Sequence, residues 1–353
     1  MAKINIYAFS RHHMFQTAEN LHRQGHEVTL ITAYPTKIAK KYVSCKIKST
    51  NLELLRLGSR RMFGETKLFY LIELVLFILH SAAVSVISRP ASSNIYSADL
   101  FPFMFIDARH KFWWVMDRGS THYRTHQKIT NKIGFIHDFK RYLSEKDYDF
   151  SDVIVVPSLF VAESFSEFSQ KVVILPYSTD PTIFNPKIRR ANNPQPRVLF
   201  VGTANFRKGF DKFAELSKLL KTISLEQVGG KTSIHPGNVM QHGHIKEYEL
   251  AKLYDEVDIV CLLSREEGQS LSLLQALSLK IPLIVTRQCG VEEFIDETTG
   301  VVLPDVSEIT DVTFLAAVEC CLNMRATESS YAMNPNRIKS WEDRAIKLLE
   351  CCR

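Results

Sequence analysis

Short apolar runs alternate along this chain with longer, more polar segments. Residues 3–9 (KINIYAF) are apolar, 16–25 (QTAENLHRQG) have helix-former composition and stop at glycine, and 26–32 (HEVTLIT) are β-rich again. Strand, helix, strand is the signature of a parallel sheet. The unit recurs at NIYSAD, KFWWVMD, DVIVVPS and KVVILPY. Strands buried on both faces read as such continuous runs. Residues 185–197 (NPKIRRANNPQPR) break the pattern with Pro, Asn and basic residues and almost no apolar content, so they read as a linker. Beyond them the pattern restarts with VLFVGTA at 198–204, helix-like KGFDKFAELSKLLK, and strands near 224–228, 258–263, 282–286 and 300–303.

The expected fold is therefore α/β, with two Rossmann-like doubly wound domains over residues 1–184 and 198–333. Ligands of such sheets bind beyond the carboxyl ends of the strands, so the expected site is a cleft between the domains. The length of 353 residues agrees, since ~150 residues per domain is typical. Residues 68–88 (LFYLIELVLFILHSAAVSVIS) are apolar enough to suggest a membrane span, but Glu73 and His80 interrupt them. A buried or half-buried helix is the preferred reading. A helix lying at a membrane surface behind Arg60, Arg61 and Lys67 is an alternative.

Composition is that of a soluble globular protein, 45% hydrophobic and 23% charged. The net charge of +6 sits in the first half: residues 1–180 hold 23 Lys and Arg against 16 Asp and Glu, the remainder 21 against 22. That fits an anionic partner or membrane surface touching the first half, or a chance imbalance. Seven cysteines lack zinc spacing and MAKINIYAFSRHH has no apolar leader core, which suggests free thiols in a reducing cytoplasm.

Neither first strand–helix turn, AFSRHHMF or GTANFRKG, carries G-x-G-x-x-G, and no Walker A occurs. This argues against a dinucleotide dehydrogenase and a P-loop kinase. The chemistry concentrates in SREEGQSLSLLQALSLK, residues 264–280. A strand leads into the loop EEGQS and then an amphipathic helix. The N–H groups and dipole of a helix start attract an anion such as a diphosphate. Gly268 lets backbone approach a ligand. Glu267 suits sugar hydroxyls, unless Glu266 and Glu267 merely cap the helix. Arg207 and Lys208 follow the first strand of the second half, where two cations can neutralise a diphosphate.

Together, GHEVTLIT, VIVVPSLFVAESF, VVILPYSTDPTIFNP, VGTANFRKGFDKF, the stretch QHGHIKEYELAKLYDEVDIVCLLSREEGQSLSLLQALS and PLIVTRQCGVEEFIDETTGVVLP resemble the GT-B-fold glycosyltransferases of the retaining family 4 (group 1) type. The resemblance covers nearly the whole chain and is most specific in the last two segments. It implies that Lys208 grips the donor diphosphate and that Glu267 contacts the donor sugar. Gly268, Gln269, Ser270 and Leu271 would present backbone amides, and Glu293 matches the glutamate of the following segment. Gly202 is the strand glycine. The arginine usual after it is Thr203, for which Arg207 could stand in. The second signature glutamate, on the nucleotide ribose, is Gln275, which still offers a carbonyl oxygen. His242 and Ile245, with 227–230, fall where the base is held. In the first half, His122 is the expected catalytic-site histidine and Asp117 the second candidate. Arg11, His12, His13, Arg118 and Arg124 would meet the acceptor. Residues 334–353 would form a last helix crossing back onto the first half.

The expected activity is nucleotide-sugar-dependent retaining transfer of a hexose to a glycan or lipid-linked acceptor, in polysaccharide or lipopolysaccharide synthesis. No Asp-x-Asp stands at a strand end, so no metal or other cofactor is expected, nor a nucleic-acid partner. The place would be cytoplasmic, with peripheral membrane contact. A non-hydrolysing nucleotide-sugar epimerase and a catalytically inactive binding protein are the alternatives.

Overall fold

The computed structural model describes residues 1–10, 13–64, 66–87, 90–97, 113–130, 134–185, 193, 195–230, 234, 237–326 and 340–352. They form two compact units, Met1–Pro157 with Ala162–Leu175 and Trp341–Arg353, and Ser158–Val161 with Pro176–Ser340.

The first unit runs β1 (Lys3–Ala8), α1 (His13–Arg23), β2 (Glu27–Thr32), α2 (Thr36–Ala39), β3 (Lys46–Ser49), α3 (Glu53–Phe63), α4 (Lys67–Ile87), β4 (Ser93–Ser97), β5 (Trp113–Asp117), α5 (Tyr123–Thr130), α6 (Phe135–Phe150), β6 (Val153–Val156), α7 (Leu159–Glu163) and β7 (Val172–Ile174). The opening residues of α7 group with the second unit. The sheet order is β3-β2-β1-β4-β5-β6-β7, parallel throughout. The second unit runs β8 (Arg197–Val201), α8 (Phe210–Leu216), β9 (Ser224–Val228), β10 (Met240–Gly243), α9 (Glu247–Glu256), β11 (Ile259–Leu262), α10 (Leu271–Ser278), β12 (Leu283–Thr286), β13 (Gly300–Leu303) and α11 (Asp311–Ala326), in the parallel order β10-β9-β8-β11-β12-β13. Each sheet winds both ways from its first strand, the doubly wound arrangement expected.

The central strands are the apolar runs of the sequence. Ile4, Ile6, Leu30, Ile95, Val115 and Val155 are fully buried in one core. In the second unit Phe200 meets the rings of Phe210 and Phe213 at 5.3 and 5.1 Å. Two strands have no such signature. β3 is KIKS and β10 is MQHG, and each lies at a sheet edge where one neighbour and partial solvation suffice.

The apolar stretch at 68–88 forms α4, whose Leu74, Leu76 and Phe77 pack with Phe9 and Leu143. Only a third of its apolar window is buried. The chain passes into the second unit at Pro176, ahead of 185–197. Phe184 is already buried, 6.4 Å from the Tyr254 ring of α9. Of the linker expectation, residues 186–192 and 194 lie outside the described residues. The last helix, α12 (Trp341–Glu350), packs on α1, with Ala345, Leu348 and Leu349 in the core of the first unit. All seven cysteines are free thiols.

Candidate functional site

In the second unit, β8 ends in a loop that reaches α8 through Gly209. This residue has φ 73°, and a Cβ there would lie 1.7 Å from the Leu263 carbonyl oxygen, so only glycine lets the loop lie against the end of β11. Asn205 Oδ1 accepts the Lys208 N–H at 2.9 Å and sets the turn. The loop before α10 is stitched to this one. Arg207 O accepts from Arg265 N at 2.8 Å and from Ser264 Oγ at 3.1 Å. Arg265 lies 3.7 Å over the Phe206 ring and forks onto Asp211 at 2.7 and 2.8 Å. The loop after β12 braces the other side. Glu267 N donates to Gln288 O at 2.9 Å and Ser270 N to Cys289 O at 3.1 Å. Gly290, at φ 68°, approaches so closely that a Cβ would sit 2.3 Å from Gly268 O. Ser158 Oγ donates to that same carbonyl at 2.6 Å.

This frame gathers Arg207, Lys208 and Glu267. Lys208 Nζ lies 2.7 Å from Glu267 Oε2. Arg207 Nη1 bonds Glu267 Oε1 and reaches Glu266 O at 2.6 Å and Glu266 Oε2 at 3.5 Å. The Lys208 and Glu267 side chains are 14% and 13% exposed, so the pair is little screened by water. Burial works against the charge of Arg207, but Glu267 and Glu266 outweigh it and raise its pKa, so it stays a cation. The result is two cations on adjacent residues sharing a carboxylate partner that phosphate oxygens could replace.

The other expected donor residues take varied positions. Gly202 O accepts from Gln227 Nε2 at 2.6 Å. Thr203 lies against Gly230, where a Cβ would meet its methyl at 3.1 Å. His242 Nε2 is 2.7 Å from Glu226 Oε2, which also accepts from Arg197 at 2.7 Å through Oε1, while Ile245 is half-buried. Burial pushes the Glu226 carboxyl up, but the bonds from Arg197 and His242 outweigh it and hold it below its usual range. Gln269 is buried and accepts the Tyr177 N–H at 2.6 Å, so its carbonyl braces the loop. The Ser270 amide serves Cys289 rather than standing open, and Leu271 begins α10. Gln275 donates to Glu247 Oε1 at 3.1 Å. Glu293 keeps part of its surface in solvent, yet enclosure of its carboxyl, helped by Glu292, pushes its pKa up to about 7. Among the described residues no group of three or more His, Cys, Asp or Glu is arranged to hold a metal.

In the first unit, Asp117 ends β5 fully buried. Arg344 of α12 binds both its oxygens at 3.0 Å, and His13 Nε2 lies 3.3 Å away. Burial disfavours the carboxylate, but Arg344 and His13 outweigh it and hold its pKa far below the usual range. This geometry makes Asp117 the anchor of the last helix, not a group open to a substrate. His122 is 5% exposed, with its ring against Tyr148, Phe165 and Phe168 at 4.8, 5.2 and 6.1 Å. Its Nδ1 accepts from Arg124 N at 3.2 Å. Burial, with Arg118 and Arg124 nearby, lowers its pKa to about 4, so the ring is neutral at pH 7. It is packed among aromatic rings of the first unit's core. Arg118 is buried, bonded to Ser120 O and Thr121 O, whereas Arg124 pairs with Glu145 at 2.7 Å and Glu167 at 3.4 Å. Arg11 and His12 lie outside the described residues. The bracing residues Ser158, Asp211, Ser264 and Arg265 went unnoticed in the sequence. The Asn205-x-x-Lys208 spacing was the local signal that a built turn precedes α8.

Residues 195–316 match the family model described as Glycosyl transferases group 1. No curated protein matches by sequence. Among solved structures, a sucrose-phosphate synthase from Thermosynechococcus elongatus superposes with TM-score 0.72 at 15% identity, over 99% of this chain and 98% of that one. WaaG, a glycosyltransferase involved in lipopolysaccharide biosynthesis, gives 0.67 at 14%, over 99% of each chain. Anabaena Alr3699/HepE, in complex with UDP and glucose, gives 0.69 at 11%, over 99% of each. The chain has the GT-B glycosyltransferase fold, and its second unit contains the matched group 1 segment with Arg207, Lys208 and Glu267 inside it.

Proposed function

We propose that this protein is a retaining, metal-independent glycosyltransferase. It moves a hexose from a nucleoside-diphosphate sugar to a glycan or lipid-linked acceptor of cell-surface polysaccharide or lipopolysaccharide synthesis, at the cytoplasmic face of a membrane. The observation that carries the reading is the pairing of Arg207 and Lys208 with Glu267, inside the segment that matches the group 1 family.

In this reading the donor diphosphate takes over the two cations, and Glu267 turns to the hydroxyls of the sugar. The bond between the anomeric carbon and the phosphate oxygen breaks as positive charge develops on the ring. Arg207 and Lys208 stabilise the departing anion, with no reorganisation needed at the moment of reaction. The acceptor hydroxyl bonds to the anomeric carbon from the same face and gives its proton to the departing phosphate. Two fixed cations supply the charge that a divalent ion would otherwise bring.

The test is thermal stabilisation of the purified protein by UDP-, GDP-, ADP- and dTDP-sugars without added metal. A ligand at ~100 times its Kd, bound only by the folded protein, adds ~2.7 kcal/mol. A shift with one nucleotide supports the donor site and identifies its base. No shift with any would overturn the reading. Donor conversion without acceptor would point to an epimerase. Gln275, with an amide where the resemblance places a carboxylate, favours a second reading: a protein that binds the donor without transferring it. Binding without turnover of any acceptor would select that one.

A further inference from the structure

Two first-unit arginines were expected to meet the acceptor, and they differ in their partners. Arg124 pairs with Glu145 and Glu167, whereas among the described residues no carboxylate pairs with Arg118. Arg118 follows the carboxyl end of β5 and is 3% exposed. Its Nε and Nη2 donate to the Ser120 and Thr121 carbonyls at 3.2 and 2.9 Å, and its guanidinium lies 5.7 Å from the centre of the Tyr148 ring. These contacts fix the fork without neutralising it, and Nη1 makes no hydrogen bond to a described residue. A buried cation held only by neutral groups is costly, and an anion arriving beside it relieves that cost.

Arg118 lines a cavity of about 220 Å³ bounded by α4, α5 and α6. Beyond the carboxyl end of a strand is where doubly wound sheets hold their ligands. The volume is below the ~300–1,000 Å³ of a drug-sized pocket, so the cavity suits one small unit rather than a chain.

The charges around it narrow the choice of ligand. Lys140 of α6 and Glu73 of α4 also line the cavity, with Nζ 4.0 Å from Oε2. Glu73 takes Arg56 at 3.2 Å as well. Arg56 is shared in turn with Glu53 of α3, which is 1% exposed and accepts from it at 2.8 and 2.9 Å. Two carboxylates and two cations balance in this cluster, which leaves the charge of Arg118 unanswered. A bare anion would have the Glu73 carboxylate as a neighbour and would make no use of the Tyr70, Ser120 and Tyr123 hydroxyls on the same walls. A sugar that carries one anionic group uses both kinds of partner.

We propose that this cavity holds an acidic sugar. Its phosphate monoester or carboxylate meets Arg118 and Lys140, and its hydroxyls meet Glu73 and Ser120. This rests on the transferase reading in one respect: the acidic sugar is the acceptor, or the end of it. Its test uses no nucleotide, so the two can fail separately. Stabilisation by a nucleotide sugar without binding of an acidic sugar would leave the transferase standing and sink this inference.

Calorimetric titration of the full chain with glucose, glucose 6-phosphate, glucuronate and inorganic phosphate reads it directly. The two acidic probes share one ring and carry the charge on the same carbon. The better of them is expected to bind at least about tenfold more tightly than glucose and than inorganic phosphate, and it identifies the anion. Arg118→Lys keeps the charge but loses the fork, and should weaken that binding about tenfold. Arg118 is buried, so Lys140→Gln gives a second reading that does not depend on the folding of that variant. The Lys140 side chain reaches the surface, and its loss leaves Glu73 paired with Arg56. It should keep its melting temperature and bind the acidic sugar about fivefold more weakly. Equal binding of glucose and both acidic sugars overturns the proposal, as does no binding of either at about 10 mM. Inorganic phosphate binding as tightly as the better sugar also overturns it, since the cavity would then serve a free anion. An unchanged Kd in Lys140→Gln does the same, because the sugar would then sit elsewhere.

Discussion

Lys208 Nζ and Glu267 Oε2 meet at 2.7 Å, while Arg207 holds the other oxygen of that carboxylate. Removing the Lys208 ammonium leaves Glu267 paired with Arg207, so the fold should barely notice. Transfer should. Lys208→Ala is expected to lower kcat/KM for the nucleotide sugar at least ~100-fold, a loss of ~2.7 kcal/mol of transition-state stabilisation. Steady-state kinetics on a variant of unchanged melting temperature check this, and near-normal turnover takes Lys208 out of the chemistry.

Asp117 and Arg344 make the opposite case, a pair for stability. Arg344→Ala strands a fully buried carboxylate with only His13 beside it, and should cost about 3–5 kcal/mol in urea unfolding. Asp117→Asn combined with Arg344→Met removes both charges and should recover much of that loss. If the single and double variants unfold alike, the pair is not what holds α12.

Gln275 and Glu247 set a charge constraint on α9 and α10. Gln275→Glu places a second carboxylate about where the 3.1 Å hydrogen bond now sits, so alone it should gain little donor affinity. With Glu247→Gln added, the repulsion is gone. The double variant should then bind nucleoside diphosphate about fivefold more tightly than wild type by calorimetric titration, the scale of one charge-assisted hydrogen bond. Equal gains in the single and double variants would show that the two side chains do not compete.

His80 and His122 predict an acid limb of stability. Burial lowers both to about 4, against 6.5 for an exposed histidine. Between those values the unfolded chain binds protons that the folded chain refuses. Their contribution is therefore present above pH 6.5 and is lost as pH falls from 6.5 towards 4. Each histidine adds up to about 1.4 kcal/mol per pH unit to the slope there. Urea titrations across this window should show it, and His80→Gln should remove about one of the two protons. An unchanged slope would mean that His80 is protonated in the fold.

The alternation of elements was legible because the central strands are buried on both faces, which forces unbroken apolar runs such as VLFV and DIVCLL. The edge strands β3 and β10 were not, because half-solvated positions tolerate KIKS and MQHG. The same divide runs through the site. Arg207, Lys208 and Glu267 could be read from residue type beside a strand end and a helix start. The residues that hold them in place could not. Ser158, Asp211 and Arg265 act through contacts far along the chain, with no local spacing to betray them. Asp117 and His122 were read as chemically active because their types are versatile. That both are buried could not be read, because burial of a polar residue leaves no mark in a sequence.

The first unit is assembled from the two ends of the described chain, with α12 closing on α1 and Arg344 on Asp117. A ribosome delivers these ends in order. The 165 residues between Leu175 and Trp341 take roughly 8–33 s at ordinary translation speed. Throughout that interval the nascent first unit has a bare apolar face on α1 and a carboxylate without its guanidinium. The later-made unit, contained in one block apart from Ser158–Val161, can close before it. The half of the protein that is translated first can thus complete its core only once α12 has been made.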